Sequence, residues 1–196
     1  MKAKRSANIL TREQYLKNLI KENGFTIKEF AHSIQMPETR IIQAYKHTEE
    51  IQTLFSEYTD MLIANDKTFQ EYLAIQHYDD EIRHLEEKYG YPWGRLYLAY
   101  CGTEAAGCIG LKKIDDQNCE MKRLYVRPRF RGLKLGEQLV EKIINDAREI
   151  GYSHMLLDTL PFLKSAIHMY EKFGFYPINC YNDSPMSTSI YMRLDL

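Results

Sequence analysis

The 196-residue sequence has few of the features that mark secreted, membrane-spanning or nucleic-acid-binding chains. Its formal net charge is only −1, which argues against a protein that binds nucleic acid by bulk basicity. No apolar run approaches the length of a membrane span. The basic start MKAKRSANIL is not followed by the apolar stretch of a signal peptide. We therefore expect a cytoplasmic protein that has neither a membrane nor a nucleic acid as partner.

The cysteines and histidines form no recognisable metal-binding pattern. The sequence has no CxxC pair and no HExxH motif. His77 and His84, with Asp80 between them, could line one face of a helix, but we favour a solvated polar face. The sequence therefore predicts no metal cofactor, and it predicts buried, reduced thiols at Cys101, Cys108, Cys119 and Cys180.

Residues 1–38 are predicted to be a small helical extension that precedes a main domain of residues 39–196. The stretch LIKENGFTIKEFAHSIQMP is similar to the first two helices of repressor-type helix-turn-helix domains. No recognition helix follows, because after Pro37 the chain turns into the β-branched TRIIQAY. We therefore favour a docking hairpin or a remnant over a DNA-binding element.

The main domain alternates helix-like and strand-like segments. Helical spacing of apolar residues predicts helices over about 49–64, 72–89 and 136–150, and SAIHMYEKFG predicts another. The predicted strands are IIQAY, RLYLAY, AAGCIGLKK, CEMKRLYV, HMLLDTL and SIYMRLDL. This order predicts an α/β (α+β) domain in which helices pack on a mixed sheet.

The stretch RPRFRGLKLG has the composition of an anion-binding loop. A helix start carries unpaired N–H groups and a partial positive charge. Here a glycine-bearing loop flanked by Arg129 and Arg131 leads into the helix start, so we predict a phosphate or diphosphate ligand. The P-loop is excluded because no GK[ST] follows, and the Rossmann fingerprint is excluded because GxGxxG is missing.

The longer segment MKRLYVRPRFRGLKLGEQLVEKII resembles the acetyl-CoA-binding segment of the GCN5-related N-acetyltransferase (GNAT) family. The family signature, Arg/Gln-x-x-Gly-x-Gly/Ala, maps onto Arg131, Gly132, Leu133, Lys134, Leu135 and Gly136. Lys134 occupies the position of the first signature glycine. Because lysine adopts a positive φ less readily than glycine, we expect a different local path for this loop. The Lys134 backbone N–H can still donate, and its ammonium could add a cation for the phosphates.

A second segment, SAIHMYEKFGFYP, supports the same resemblance. It carries Ala166, Tyr170, Gly174 and Phe175 at the family's spacing, whereas Leu163 stands where the family often has asparagine. The resemblance extends over about residues 40–196. It implies a GNAT-type, mostly antiparallel sheet flanked by helices, and direct transfer of an acetyl group from acetyl-CoA to an amine.

The resemblance also implies roles for particular residues. The loop amides and the strand residues Leu124, Tyr125 and Val126 would bind the cofactor, and the Leu124 N–H would stabilise the oxyanion. Tyr170 would contact the cofactor and act as general acid, although it could instead only pack its ring on the sheet. Glu120 is the first candidate for the general base, and its alternative is a solvated strand-end charge; Asp158 is the second candidate.

The acceptor is the least defined part of this interpretation. Arg95, Arg123 and Tyr181 could receive an acceptor carboxylate, but we slightly favour the view that they are surface residues. The expected partners are a small-molecule or peptide amine and, as an option, a second copy of the chain in a homodimer. Two alternatives stay open: transfer of another acyl group such as succinyl, and a non-catalytic acyl-CoA-sensing module whose N-terminal appendage contacts DNA.

Overall fold

The computed structural model describes residues 38–75, 78–184 and 186–196. The predicted helices of residues 1–37, their resemblance to a helix-turn-helix, and His77 lie outside the described residues. The division of the chain at residue 38 stays a prediction.

One sheet of seven strands runs through the described residues in the order β1-β2-β3-β4-β5-β7-β6. The β4–β5 pair is parallel, and the five other neighbouring pairs are antiparallel. The predicted mixed, mostly antiparallel sheet is therefore confirmed. The strands are β1 Thr39–Gln43, β2 Arg95–Cys101, β3 Glu104–Lys113, β4 Asn118–Val126, β5 His154–Thr159, β6 Tyr176–Ile178 and β7 Ile190–Asp195.

The helices agree with the sequence pattern at three of four predicted places. The predicted helices 49–64 and 136–150 and the helix of SAIHMYEKFG are present, within a few residues at each end. The single helix predicted over 72–89 is wrong, because within the described part of this segment one helix ends at Arg83 and another starts at Leu85. The helices are α1 Thr48–Asn65, α2 Phe69–Ile75, α3 Tyr78–Arg83, α4 Leu85–Tyr89, α5 Leu135–Ile150 and α6 Lys164–Lys172, with a 3₁₀ turn at Pro128–Phe130.

Tertiary contacts explain why the chain between α3 and α4 is not helical. His84 has φ −126° and ψ 51°, which ends α3 and starts α4. The break lets Glu81 of α3 and Tyr89 of α4 both point into the core, where Tyr89 Oη donates to Glu81 Oε1 at 2.6 Å. Apolar periodicity alone could not predict this, because it registers neither a buried carboxylate nor its partners.

Helices cover both faces of the sheet, so the central strands are buried on both sides. Along β2, Leu96 and Leu98 belong to a core cluster with α1, and the alternate residues Tyr97 and Ala99 belong to a cluster with α5. Burying one such aliphatic side chain contributes about 2 kcal/mol. The helices are therefore held to the sheet mainly by apolar contact.

The sheet opens in its centre, between β4 and β5. These strands pair only from Asn118 to Glu120 on β4, opposite His154 to Leu156 on β5. Both strands continue past this pairing, to Val126 and Thr159 respectively, and they separate there. Parallel strands that separate leave backbone N–H and C=O groups free for another partner.

A β-bulge in β4 lies where the separation begins. Opposite Ile109 of β3, strand β4 has two residues, Arg123 and Leu124, and Arg123 has a positive φ of 58°. A bulge of this kind adds one unpaired residue and bends the strand. The Arg123 guanidinium then forms a bidentate pair with Glu81 at 2.7 Å from both Nε and Nη2.

We predict that Glu81→Ala lowers the free energy of unfolding by about 3–5 kcal/mol, because it leaves Arg123 as a buried charge without its carboxylate. Both side chains are almost completely buried, at 1% and 3% exposure. Chemical denaturation of Glu81→Ala and of a control variant measures the effect. Glu87→Ala, at an exposed position of α4, is the control and should change stability by less than about 0.5 kcal/mol. Equal losses in the two variants would contradict the prediction.

Candidate active site

A cleft of about 540 Å³ lies beside the free edge of β4. Its walls are the end of β4, the loop before α5, the first turn of α5, helix α6, and Tyr58 and Met61 of α1. Nine of the ten residues predicted to bind the cofactor line it: Leu124, Tyr125, Val126, Arg131, Gly132, Lys134, Leu135, Gly136 and Tyr170. Leu133 is the exception and packs against the hydrophobic core.

The loop before α5 corrects the expectation about Lys134. This residue is the N-cap of α5 and has φ 59° and ψ 18°, so the lysine adopts the left-handed conformation that glycine favours. The cost for a residue with a Cβ is about 1–2 kcal/mol. Gly132 also has a positive φ, of 90°. The loop therefore turns twice through the left-handed region before the helix starts.

The first turn of α5 presents free backbone donors to the cleft. The N–H of Gln138 donates to the Lys134 carbonyl at 3.0 Å, so the amides of Leu135, Gly136 and Glu137 precede the first intrahelical bond. Lys134 makes no side-chain capping bond to them. Three amides and a helix dipole therefore point toward one end of the cleft.

The arginines of this segment divide between structural pairs and the cleft. Arg127 forms a bidentate pair with Glu57 of α1, with Nη2 at 2.6 Å from Oε1 and Nε at 2.8 Å from Oε2. Arg129, expected beside the anion, instead pairs with Glu104 and does not line the cleft. The loop cations that line the cleft are Arg131 and Lys134.

These features fit a ligand that has a diphosphate and a peptide-like arm. The amides and cations at the start of α5 match the phosphates. A Cβ at Gly136 would lie 3.6 Å from Met169 Sδ and 3.9 Å from Val126 Cγ2, so the glycine keeps a narrow passage open between the helix and the strand. Beyond the passage, the backbone of β4 up to Val126 has no ladder partner in β5, so it can pair with amide groups.

Tyr170 stands where the cleft meets a second, smaller pocket. Its side chain is buried, and its ring centroid is 5.8 Å from that of Phe175. Burial raises the pKa of Tyr170 well above its ordinary value, and Tyr58 and Asp158 raise it further. The ring therefore packs on the core as the simpler alternative expects, while the phenol stays protonated at neutral pH.

The second pocket has a volume of about 50 Å³ and lies between the separated strands and helices α1 and α2. It shares Tyr58, Leu124, Leu163 and Tyr170 with the cleft. The rest of its lining includes Leu62, Phe69, Tyr72, Met121, Lys122, Arg123, Leu157, Asp158, Thr159 and Leu160. The two cavities therefore meet at the residues predicted to act on the thioester.

Lys122 joins two carboxylates beside this pocket. Its Nζ donates to Glu120 Oε1 at 3.3 Å and to Asp158 Oδ1 at 3.5 Å. Asp158 Oδ2 also accepts a hydrogen bond from Tyr72 Oη at 2.9 Å. Burial raises the pKa of Asp158, but the Lys122 charge and these hydrogen bonds outweigh it and bring the pKa below its ordinary value. Asp158 is therefore ionised at neutral pH.

Glu120 is not the solvated strand-end charge that the alternative interpretation described. The residue is 4% exposed, at the last pairing position between β4 and β5. Its Oε1 also accepts a hydrogen bond from Tyr181 Oη at 2.8 Å. Unlike Asp158, it lines neither cavity.

The three residues considered for an acceptor carboxylate do not come together. Arg123 is committed to Glu81. Arg95 donates to the carbonyls of Pro92 and Gly94, and it is not in the lining of either cavity. Tyr181 is bonded to Glu120. Neither the surface interpretation nor the carboxylate-binding one describes Arg123, which is buried and paired.

Sequence reasoning gave Lys122 and Tyr72 no role at this site. Lys122 was visible as a lysine inside an apolar strand, and such a position favours a buried partner. Tyr72 gave no signal, because its partner Asp158 lies 86 positions away.

Two further features of the described residues complete the description. Cys101, Cys108 and Cys119 are buried free thiols, whereas Cys180 is exposed, which corrects the expectation of burial at that position. None of the helices in the described ranges is both long and apolar enough to cross a bilayer.

Comparison with known proteins identifies the class. The Acetyltransferase (GNAT) family matches residues 51–175, so the chain belongs to this family. An uncharacterized N-acetyltransferase of Dictyostelium discoideum is 31% identical, covering 80% of this chain and 98% of its own. An uncharacterized N-acetyltransferase of Schizosaccharomyces pombe is 44% identical, covering 63% of this chain and 77% of the relative. The chain is accordingly an N-acetyltransferase.

Solved structures agree on the fold. An acetyltransferase of Streptococcus agalactiae superposes with a TM-score of 0.65 at 23% identity, over 81% of this chain and 98% of that one. The PaiA N-acetyltransferase of Thermoplasma acidophilum, solved in complex with coenzyme A, superposes with a TM-score of 0.61 at 18% identity, over 81% and 99%.

We predict that Lys134→Gly unfolds with a free energy about 0.5–1 kcal/mol higher than Lys134→Ala, measured by chemical denaturation without ligand. Both variants remove the same ammonium, but only glycine relieves the cost of the positive φ at this position. The gain is partly offset because glycine is more flexible in the unfolded chain. An alanine variant as stable as the glycine variant would show that the backbone here is not strained.

Proposed function

We propose that the protein transfers an acetyl group from acetyl-CoA to the amine of a small metabolite or peptide by direct attack. The observation that carries the proposal is the cleft beside the free edge of β4, which ends at the unpaired amides of α5. The complex of the structurally similar PaiA enzyme with coenzyme A supports this ligand. Acetyl-CoA supplies the acetyl group as an activated thioester.

The two ends of the cleft would bind different parts of the cofactor. The amides of residues 135–137, with Arg131 and Lys134 beside them, would hold the diphosphate. The backbone of β4 from Leu124 to Val126 would pair with the amides of the pantetheine arm, as an added strand pairs with a sheet edge. Met61 and Met169 supply adaptable apolar surface to the same cleft.

The Leu124 N–H is the proposed donor to the thioester carbonyl oxygen, where negative charge develops. Leu124 lies in the bulge and has no partner residue in the β3 register, so its amide is separated from the regular ladder. One such preorganised donor typically stabilises the transition state by about 3 kcal/mol.

Proton transfers complete the reaction. Tyr170 would donate a proton to the departing thiolate, because it lies where the two cavities meet and its phenol is protonated at neutral pH. The attacking amine must lose a proton, and the carboxylates around Lys122 are the groups to receive it. The sequence suggests Glu120 as the first candidate; we propose Asp158 instead as the first acceptor, because Asp158 lines the pocket and Glu120 does not, and Glu120 would act through Lys122.

Calorimetric titration with coenzyme A tests the binding proposal. Gly136→Glu should abolish binding, because it places a carboxylate and its bulk between Met169 and Val126, beside the proposed diphosphate. Gly136→Ala is the matched control and should stay within about tenfold of the parent affinity, because its Cβ meets only ordinary van der Waals distances. Retained affinity of Gly136→Glu for coenzyme A would contradict the proposed diphosphate site.

For the chemical step, Tyr170→Phe should lower kcat by a factor of about 10², with coenzyme A affinity nearly unchanged. The measurement is thiol release with acetyl-CoA and an amine panel, alongside calorimetry. Tyr176→Phe is the control, because that phenol is 37% exposed and bonds to Asp195 away from the cleft. Unchanged turnover in Tyr170→Phe would remove the acid role, and absence of turnover with every amine would favour a sensing module.

A further inference from the structure

The smaller pocket limits which amines can reach the thioester. Its volume is about 50 Å³, and a cavity needs about 10–15 Å³ to hold one water molecule. The pocket therefore has room for roughly four non-hydrogen atoms. Leu62 and Phe69 narrow it on the helix side, and Leu157 and Leu160 on the strand side. All four side chains are buried in core clusters, so the walls are fixed by packing. The space suits a nitrogen and two or three unbranched carbon atoms.

Three charged side chains line the pocket: the cations Lys122 and Arg123 and the carboxylate of Asp158. Arg123 is committed to Glu81, and Lys122 is shared between Glu120 and Asp158. Asp158 is therefore the carboxylate of the pocket wall, and it shares its cation, Lys122, with Glu120.

Two further lysines approach this cluster from the surface side. Lys88 pairs with Glu81, and Lys112 Nζ lies 3.8 Å from Glu120 Oε2. Neither lines the pocket, and neither is paired with Asp158. The Asp158 carboxylate accepts one hydrogen bond at each oxygen, from Lys122 and Tyr72, so it keeps acceptor capacity for another donor.

An acceptor carboxylate would find no matching cation here. Arg123 already makes two bonds to Glu81, and Lys122 lies between two carboxylates. A second negative charge beside Asp158 would be repelled at short range in a buried site. The pocket therefore discriminates against amines that carry a carboxylate on the neighbouring carbon.

We propose that the acceptor is a primary amine on an unbranched carbon chain, with no carboxylate beside the nitrogen, and that Asp158 selects it by binding its ammonium group. This inference rests on the proposed acetyl transfer and specifies its acceptor class. It covers alkylamines and lysine side chains, and it excludes α-amino acids and protein N-termini. Asp158 would hold the nitrogen beside Tyr170 and Leu124, which line the same pocket.

Three amines that each have four carbon atoms test the class: n-butylamine, 2-butylamine and L-2-aminobutanoate. The first is unbranched, the second adds branching at the carbon that bears nitrogen, and the third adds a carboxylate there. With acetyl-CoA and the full-length chain, we expect kcat/KM for n-butylamine to exceed both others at least tenfold. Equal or better turnover of L-2-aminobutanoate would overturn the proposal.

Substitutions at Asp158 test its role separately from folding. Asp158→Asn should lower kcat/KM for n-butylamine about 10- to 100-fold, because the amide can neither hold the ammonium by charge nor accept its proton. It should also reduce the preference for n-butylamine over L-2-aminobutanoate, whereas general damage would lower both alike. Asp158→Glu keeps the charge and should restore part of the preference. An unchanged preference in Asp158→Asn would contradict the selection by charge.

Calorimetry with coenzyme A separates this inference from the proposed function. If coenzyme A binds and a Tyr170-dependent transfer is seen with other amines only, the acceptor class is wrong while the acetyl transfer stands. If coenzyme A does not bind to folded protein, both proposals fail.

Discussion

The buried pair between Arg123 and Glu81 lies at the bulge where the central sheet opens. It connects the bulge of β4 to helix α3, so each of the two desolvated charges has a partner of opposite sign. Burial raises the pKa of Glu81, but the neighbouring guanidinium and Lys88 outweigh it and hold the pKa far below its usual range. Both groups are therefore charged at neutral pH.

Because of the bulge, two consecutive residues of β4 point to the same side of the sheet. In a regular strand, Lys122 and Arg123 would point to opposite faces. Instead Arg123 stacks on Phe55 and Tyr78, and Lys122 reaches the pocket lined by Tyr58. The same extra residue separates Leu124 from the β3 ladder. One local irregularity thus brings Arg123 to the same side as Lys122 and separates the proposed oxyanion donor from the ladder.

Sequence patterns predicted the parts of this structure that depend on local periodicity or on contiguous motifs. The apolar stripes of α1 and α5 and the loop that ends at Gly136 are features of this kind. The bulge could not be predicted, because alternation along EMKRLYV is compatible with a regular strand. The left-handed Lys134 was missed because propensity argues against it, and the surrounding fold overrides propensity there. The smaller pocket was missed because its contacts, such as that between Tyr72 and Asp158, join distant segments.

The distribution of cations separates the two ends of the site electrostatically. Of the basic residues near the cleft, Arg127 and Arg129 are neutralised by Glu57 and Glu104, whereas Arg131 and Lys134 remain at the start of α5. At the opposite end, the two cations that line the smaller pocket, Lys122 and Arg123, are both paired with carboxylates, and Asp158 is the carboxylate in the lining. The proposed polyanionic acyl donor would therefore meet Arg131 and Lys134 at the helix start, and the proposed ammonium acceptor would meet Asp158. Because the two cavities share Leu124 and Tyr170, the proposed reactants would come together at these residues.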